Sequence, residues 1–150
     1  MSPTLSIPPA RQDLIDFFEH LPEPDRRDSL ISMAESVEAY APRPGQSYAV
    51  EEVRKDPECS DIVGIFLQQE GGGHVHFAVT FGPKVQTLTR ALAAILCRGL
   101  NGCTAAEIRA ISPDFIPRIV GAELVRLRSQ TVYYILHRMK QAAENAILTT

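Results

Sequence analysis

The sequence predicts an α+β fold, and three observations carry the prediction. Two helical patterns open the chain, two period-two stretches follow in the middle, and helical patterns return for the last third. Runs of one element followed by runs of another indicate segregated helices and an antiparallel sheet, where a parallel α/β sheet would alternate them. The expected architecture is an N-terminal helical hairpin, a small antiparallel sheet, and C-terminal helices packed on that sheet.

The first helix is expected from about Ala10 to His20, with Leu14, Ile15, Phe17 and Phe18 as its apolar stripe. Leu21-Pro22-Glu23-Pro24-Asp25 interrupts it. Asp25 is expected to cap a second helix whose inner face is Leu30, Met33, Val37 and Tyr40. So short a link favours an antiparallel pair, and Pro42, Pro44 and Gly45 stop further helix. Ser47 to Lys55 reads as a weak edge strand or a loop.

From Cys59 the pattern alternates. Cys59, Asp61, Val63, Ile65 and Leu67 would share one strand face, with Ile62 and Phe66 on the other. Gly71-Gly72-Gly73 supplies a hairpin turn; no Lys-Ser/Thr follows it, so it is not a phosphate loop. A second strand runs from His74 to Phe81, with Val75, Phe77, Val79 and Phe81 on one face.

Gly82-Pro83 ends that strand, and Val85, Leu88, Leu92, Ile95 and Leu96 mark a long amphipathic helix closed by Asn101-Gly102. Thr104-Ala105-Ala106-Glu107 is a capping box for a short helix to about Ala110. Ser112-Pro113 opens another short helix. The last helix is expected from Ser129 to about Ile147, with Val132, Ile135, Leu136, Met139 and Ala143 facing inward. Four helices therefore follow the sheet.

The totals narrow the function. With 150 residues, 45% hydrophobic and 22% charged, the chain reads as one domain, residues 1–150, large enough for a real core. A net charge of −3 offers no clustered basic surface for nucleic acid. Three cysteines without paired spacing argue against a disulfide scaffold and suit a reducing cytoplasm. No apolar run approaches the roughly 20 residues of a membrane span. Met1 to Pro9 lacks the basic and apolar regions of a signal peptide and reads as a flexible arm, residues 1–9.

Few residues carry chemistry. His74 and His76 project from one strand face, a spacing that suits a metal, but no third ligand lies nearby and they read as a polar face. Cys97 and Cys103 lack zinc-ligand spacing; Cys97 is expected to pack and Cys103 to sit exposed or half-buried. No Gly-x-Ser-x-Gly elbow is present. Tyr133-Tyr134 reads as a partner surface or as one core residue beside one exposed. Cys59, after Asp56-Pro57-Glu58, is either a small core hydrophobe or a working nucleophile sheltered by a loop. Glu58 and Asp61 flank it with negative charge, so cationic help would have to come from far along the chain, an arginine at 126–128 being the candidate.

The order of these features resembles the SufE family of sulfur acceptors in iron–sulfur cluster assembly. Cys59-Ser60-Asp61-Ile62-Val63 stands where that family has Cys-Gln-Ser-x-Val. Leu100-Asn101-Gly102-Cys103-Thr104-Ala105-Ala106-Glu107-Ile108 is similar to its Tyr-Asn-Gly-Lys-Thr-Pro-Glu-Glu-Ile. Arg128-Ser129-Gln130 resembles the Ser-Arg-Ser-Gln/Asn run that opens its final helix, and Val75-His76-Phe77 its Leu-His-Phe strand. The likeness spans about residues 10 to 140. Glu58 replaces the family's glycine before the cysteine, Gly64 replaces its tryptophan, and Leu127 the serine before Arg128. Thr80 to Lys84 occupies the place of its Asp-Ser-Asp-Ala stretch.

The resemblance implies a SufE/IscU-like fold and a persulfide carried on Cys59. It implies Arg128, Ser60 and Asp61 as supporting or partner-binding residues, with Arg128 near the cysteine loop. The implied partners are a cysteine desulfurase and an iron–sulfur scaffold. The pyridoxal phosphate would belong to the desulfurase, and this chain would hold no metal or cofactor and act as an accessory protein. A monomer or weak homodimer is expected. Two alternatives remain: a partner-binding protein of the same fold without sulfur transfer, and a stand-alone thiol oxidoreductase.

Overall fold

The computed structural model describes residues 9–148, with the side chains of residues 9–11 excepted. The expected arm falls outside the described residues except for Pro9, which already belongs to the first helix. Seven α-helices and one three-stranded antiparallel sheet are present among the described residues. The α+β class, with helices packed on a small antiparallel sheet, is what the sequence pattern indicates.

Helix α1 (Pro9–Glu19) buries Leu14, Ile15 and Phe18. Phe17, expected on that stripe, is 55% exposed and meets Phe18 edge-to-face at 5.2 Å. The last carbonyls of α1, orphaned at a helix end, are taken by the Arg26 guanidinium, which donates to Phe18 O and Glu19 O at 3.2 and 3.3 Å. Helix α2 (Glu23–Glu35) starts earlier than its expected cap. Asp25 lies within the first turn and Pro22 stands at the cap position without a capping side chain. The reason is Pro24: near a helix start its missing N–H has no intrahelical partner to lose, so the helix can begin ahead of Asp25. Val37 and Tyr40 follow in a 3-10 turn (Ser36–Tyr40).

The sheet runs in chain order, β1 (Val50–Arg54), β2 (Val63–Gln69) and β3 (Val75–Phe81), each antiparallel to the next. Val63, Ile65, Leu67, Val75, Phe77 and Val79 line its buried face. That face meets α3 (Thr87–Leu100) and α7 (Ser129–Leu148). Helix α3 is buried almost all round, from Ala91 to Cys97 without a break. Both N-terminal helices lie against it. Helix α4 (Ala105–Ala110) carries the reciprocal capping box, Thr104 N–H to Glu107 at 2.8 Å and Glu107 N–H to Thr104 at 3.1 Å.

The strand expected from Cys59 begins only at Val63. Residues 56 to 62 direct their polar groups elsewhere: the Cys59 N–H bonds to Asp56 O at 3.0 Å, and the Ile62 N–H to the Asp61 carboxylate at 2.7 Å. Both bonds shape a turn, so the alternation read through Cys59 and Asp61 is not strand periodicity. Cys103 also departs from expectation. It is 6% exposed, because its N–H and carbonyl bond to Leu100 and Val75 and draw it beneath the sheet end.

After the short helix α5 (Ile116–Val120), Gly121 turns the chain at φ +94° into α6 (Ala122–Leu127). The helix α6 has no buried residue and thus no apolar stripe to announce it; five helices, not four, follow the sheet. A Cβ at Gly121 would lie 2.6 Å from the Arg26 guanidinium. No helix of the described residues is long and apolar enough to cross a membrane.

One polar residue sits where the core is driest. Arg138 on α7 is fully buried and donates to Glu52 O at 2.8 Å, Val63 O at 3.1 Å, the Tyr134 hydroxyl at 2.7 Å and Asp56 at 3.3 Å. Removing one member of such a pair leaves the others unpaired in low dielectric. We expect Arg138→Met to lower unfolding free energy by about 3 kcal/mol in urea titration. A loss below about 0.5 kcal/mol, the range of an ordinary surface change, would show that the guanidinium is dispensable.

Candidate functional site

The candidate site is a turn, residues 56 to 61, held at both ends by side chains of its own. At the first end Asp56 works twice. Its carbonyl accepts the Cys59 N–H, and its carboxylate accepts from Arg54 at 2.8 Å, the Tyr134 hydroxyl at 2.7 Å and Arg138 at 3.3 Å. Helix periodicity makes this possible, since Tyr134 and Arg138 are one turn apart on the same face of α7. Burial raises the Asp56 carboxyl, but the bonds from Tyr134 and Arg54 and the two arginine charges outweigh it and hold the group below its usual range. Burial and the Asp56 carboxylate together push the Tyr134 hydroxyl far up, so it remains a donor at any ordinary pH.

The second end is tied to the loop after β3. Ser60 donates its hydroxyl to Lys84 O at 2.7 Å, and the Asp61 carboxylate accepts the Lys84 N–H at 2.9 Å. The N–H groups of Lys84 and Ile62 hold the Asp61 carboxyl below its ordinary value. Gly82 makes room for this contact: a Cβ there would sit 2.3 Å from the Asp61 carboxyl carbon. Arg128, the C-cap of α6, reaches Gln86 at 3.4 Å. Ser60, Asp61 and Arg128 thus converge on one segment, residues 84 to 86, and Arg128 reaches it from the far side of the chain.

Between the two ends Cys59 is 8% exposed and belongs to the apolar core. The turn's outer side borders a cleft of about 410 Å³ formed with α7, lined among others by Arg54, Asp56, Glu58, Tyr133 and His137. The other two thiols are buried as well, Cys103 at 6% exposure and Cys97 at 0%. Cys97 is wholly enclosed, and that burial pushes its thiol up to about 12. Tyr134 is the core member of the tyrosine pair, while Tyr133 is half-buried. His74 bonds to Gly102 O at 2.7 Å and His76 pairs with Glu70 at 3.0 Å. Among the described residues no group of three or more His, Cys, Asp or Glu is arranged to hold a metal ion.

A family model described as the Fe-S metabolism associated domain, SufE, matches residues 12–143. The chain belongs to the SufE family. Its role therefore lies in iron–sulfur metabolism. No curated protein sequence matches the chain. Among solved structures, a hypothetical protein from Thermus thermophilus is similar at 23% identity, with a TM-score of 0.71 over 97% of this chain and 100% of that one. The N-terminal part of a nitrogen-fixing NifU-like protein from Brucella abortus is similar at 14% identity, with a TM-score of 0.62 over 81% of this chain and 94% of that one. Both likenesses concern the fold.

Sequence reasoning pointed to Cys59, Ser60, Asp61 and Arg128 as candidates and did not include the Asp56–Tyr134–Arg138 anchor. One signal was available: Arg138 interrupts the apolar stripe of the last helix between Ile135 and Met139. A buried arginine requires acceptors.

The two ends of the turn differ in strength. The Asp56 end is embedded; the Ser60–Asp61 end is open to water and competes with it. We expect Asp61→Ala and Gly82→Ala to speed alkylation of Cys59 several-fold, measured by mass spectrometry of the native protein, while Cys97 stays unmodified. An unchanged rate would show that the Asp61 contact does not restrain the turn. The pH dependence follows from the same bond. Because the folded Asp61 carboxyl is lowered, its contribution is full above the unfolded value of about 3.9 and is lost as pH falls through the lower folded value. Labelling of Cys59 by a disulfide reagent active in acid, 4,4′-dithiodipyridine, should accelerate below about pH 4 in the wild type. It should accelerate less in Asp61→Ala.

Proposed function

We propose that this protein is a sulfur acceptor for iron–sulfur cluster assembly, with Cys59 as the persulfide carrier. The observation that supports this most is the setting of Cys59: a thiol folded into the core on a short turn whose one end is anchored and whose other end is held by water-exposed bonds. Such a turn shelters a reactive sulfur at rest and can present it to a partner.

The partner is a cysteine desulfurase, whose pyridoxal phosphate frees the sulfur from cysteine and leaves it as a persulfide on the enzyme's own cysteine. The Cys59 thiolate attacks the outer sulfur of that persulfide. The donor's S–S bond breaks, a new S–S bond forms at Cys59, and the donor cysteine departs as a thiolate, with no net oxidation. Cys59–S–SH is then the donor for an iron–sulfur scaffold by a second exchange of the same kind. Ser60 and Asp61 keep the turn closed before the encounter. Arg128, through Gln86, steadies the segment against which the turn closes. In this role the protein is an accessory of the desulfurase in the cytoplasm.

A second reading has one observation in its favour. Glu58, exposed beside Cys59, puts a carboxylate where the family has glycine, and a charge there suits a partner-binding protein that no longer transfers sulfur. The test is intact mass after incubation with a cysteine desulfurase, cysteine and pyridoxal phosphate. The expected result is an adduct of about 32 Da, one sulfur, removed by reductant as a persulfide is, and absent from Cys59→Ser. Desulfurase binding without an adduct would establish the second reading. An adduct on Cys97 or Cys103 would overturn the assignment of the carrier residue.

A further inference from the structure

The cleft of about 410 Å³ beside the cysteine turn falls within the size range of ligand pockets. Its charged groups are unequally engaged. Arg54 is committed to Asp56 at 2.8 Å and to Gln141 at 3.1 Å, with Glu52 at 3.6 Å, and Asp56 is committed to Arg54, Tyr134 and Arg138. These groups neutralise one another and have little left for a ligand. The side chains of Glu58, Gln130, Tyr133 and His137 line the same cleft without a hydrogen-bond or ion-pair partner among the described residues. The acidic side chain left uncommitted is thus Glu58, and it shares the cleft with an aromatic ring, an amide and an imidazole.

We infer that this cleft receives an arginine side chain of the partner protein, with Glu58 as the residue that selects it. The inference rests on Cys59 being the residue the partner must approach. A guanidinium matches the uncommitted groups in kind. Its planar fork can take both oxygens of a carboxylate, its face can lie on a tyrosine ring, and its remaining N–H groups suit the Gln130 amide oxygen. A lysine ammonium would satisfy the charge without the planar contacts. An anionic or apolar side chain would leave Glu58 facing a like charge or none. Glu58 directly precedes Cys59, so a partner residue held there brings its neighbours alongside the turn.

The probe is Nα-acetyl-arginine amide, titrated into the full-length protein and followed by amide chemical shifts, with the uncharged citrulline amide as control. Saturable shifts at Glu58, Gln130, Tyr133 and His137 with arginine and not with citrulline are expected. Glu58→Gln should weaken the binding roughly fivefold, as for loss of an exposed ion pair. It replaces an exposed side chain and should leave the spectrum elsewhere intact. With a desulfurase that loads Cys59, Glu58→Arg should raise KM for this protein by roughly tenfold, since like charges oppose docking. Equal shifts with citrulline, shifts confined to other surfaces, or indifference to Glu58→Gln would each overturn the inference. The two readings separate cleanly: arginine binding with no sulfur on Cys59 removes the carrier function and leaves the cleft, and sulfur on Cys59 without arginine selectivity does the reverse.

Discussion

A single buried guanidinium ties together the parts from which the site is built. Arg138 brings a charge into a core that gives it no water, and it is tolerated because backbone carbonyls of the first two strand segments, a tyrosine hydroxyl and a carboxylate all point at it. These acceptors come from different stretches of chain. The guanidinium therefore fixes the relative placement of β1, β2, the cysteine turn and α7 at one point. Apolar packing alone tolerates small slips between these elements, since it is non-directional. A hydrogen-bonded charge does not, because a slip would leave it unpaired. This is how the last helix, far from the turn in sequence, comes to position the segment on which Cys59 lies.

The cysteine turn inherits an asymmetry from that arrangement. Asp56 presents its carboxylate inward to the arginines and its carbonyl to Cys59, so its own rotation would break interactions on both sides. Ser60 and Asp61 face a loop at the surface, where water can replace each bond they make. The space that Gly82 leaves for the Asp61 carboxylate shows that this second contact is built into the backbone of the opposite segment and not only into the turn. Order at one end comes from a buried guanidinium and tyrosine on the Asp56 carboxylate, and exchangeability at the other from water-exposed bonds to backbone groups.

Most of the architecture was legible because it depends on short-range patterns. The capping box at Thr104 and Glu107, the β3 alternation and the stripe of α7 are local statements, and the structure keeps them. The places that were not legible depend on partners far away in sequence. Asp25 lost its capping role to a proline whose effect is felt a residue earlier, and α6 has no fully buried residue, only Leu124 and Val125 partly buried, and so leaves little periodic trace. Val63 starts its strand late because Asp61 turns its carboxylate back onto the chain. Cys59 and its neighbours were legible through family resemblance, and Asp56, Tyr134 and Arg138 were not, since nothing local links an aspartate before a proline to an arginine on the final helix.

The anchoring of the turn also sets a length. Cys59 lies three residues from Asp56 and three from Ile62, whose carbonyl is held by the Gly82 N–H at 2.9 Å. A fully extended chain gains at most about 3.3–3.6 Å per residue, so with both anchors in place the α-carbon of Cys59 stays within about 10 Å of either one. The sulfur is on a short tether. Whatever reacts with that sulfur while both anchors hold must come to within this short reach of the turn.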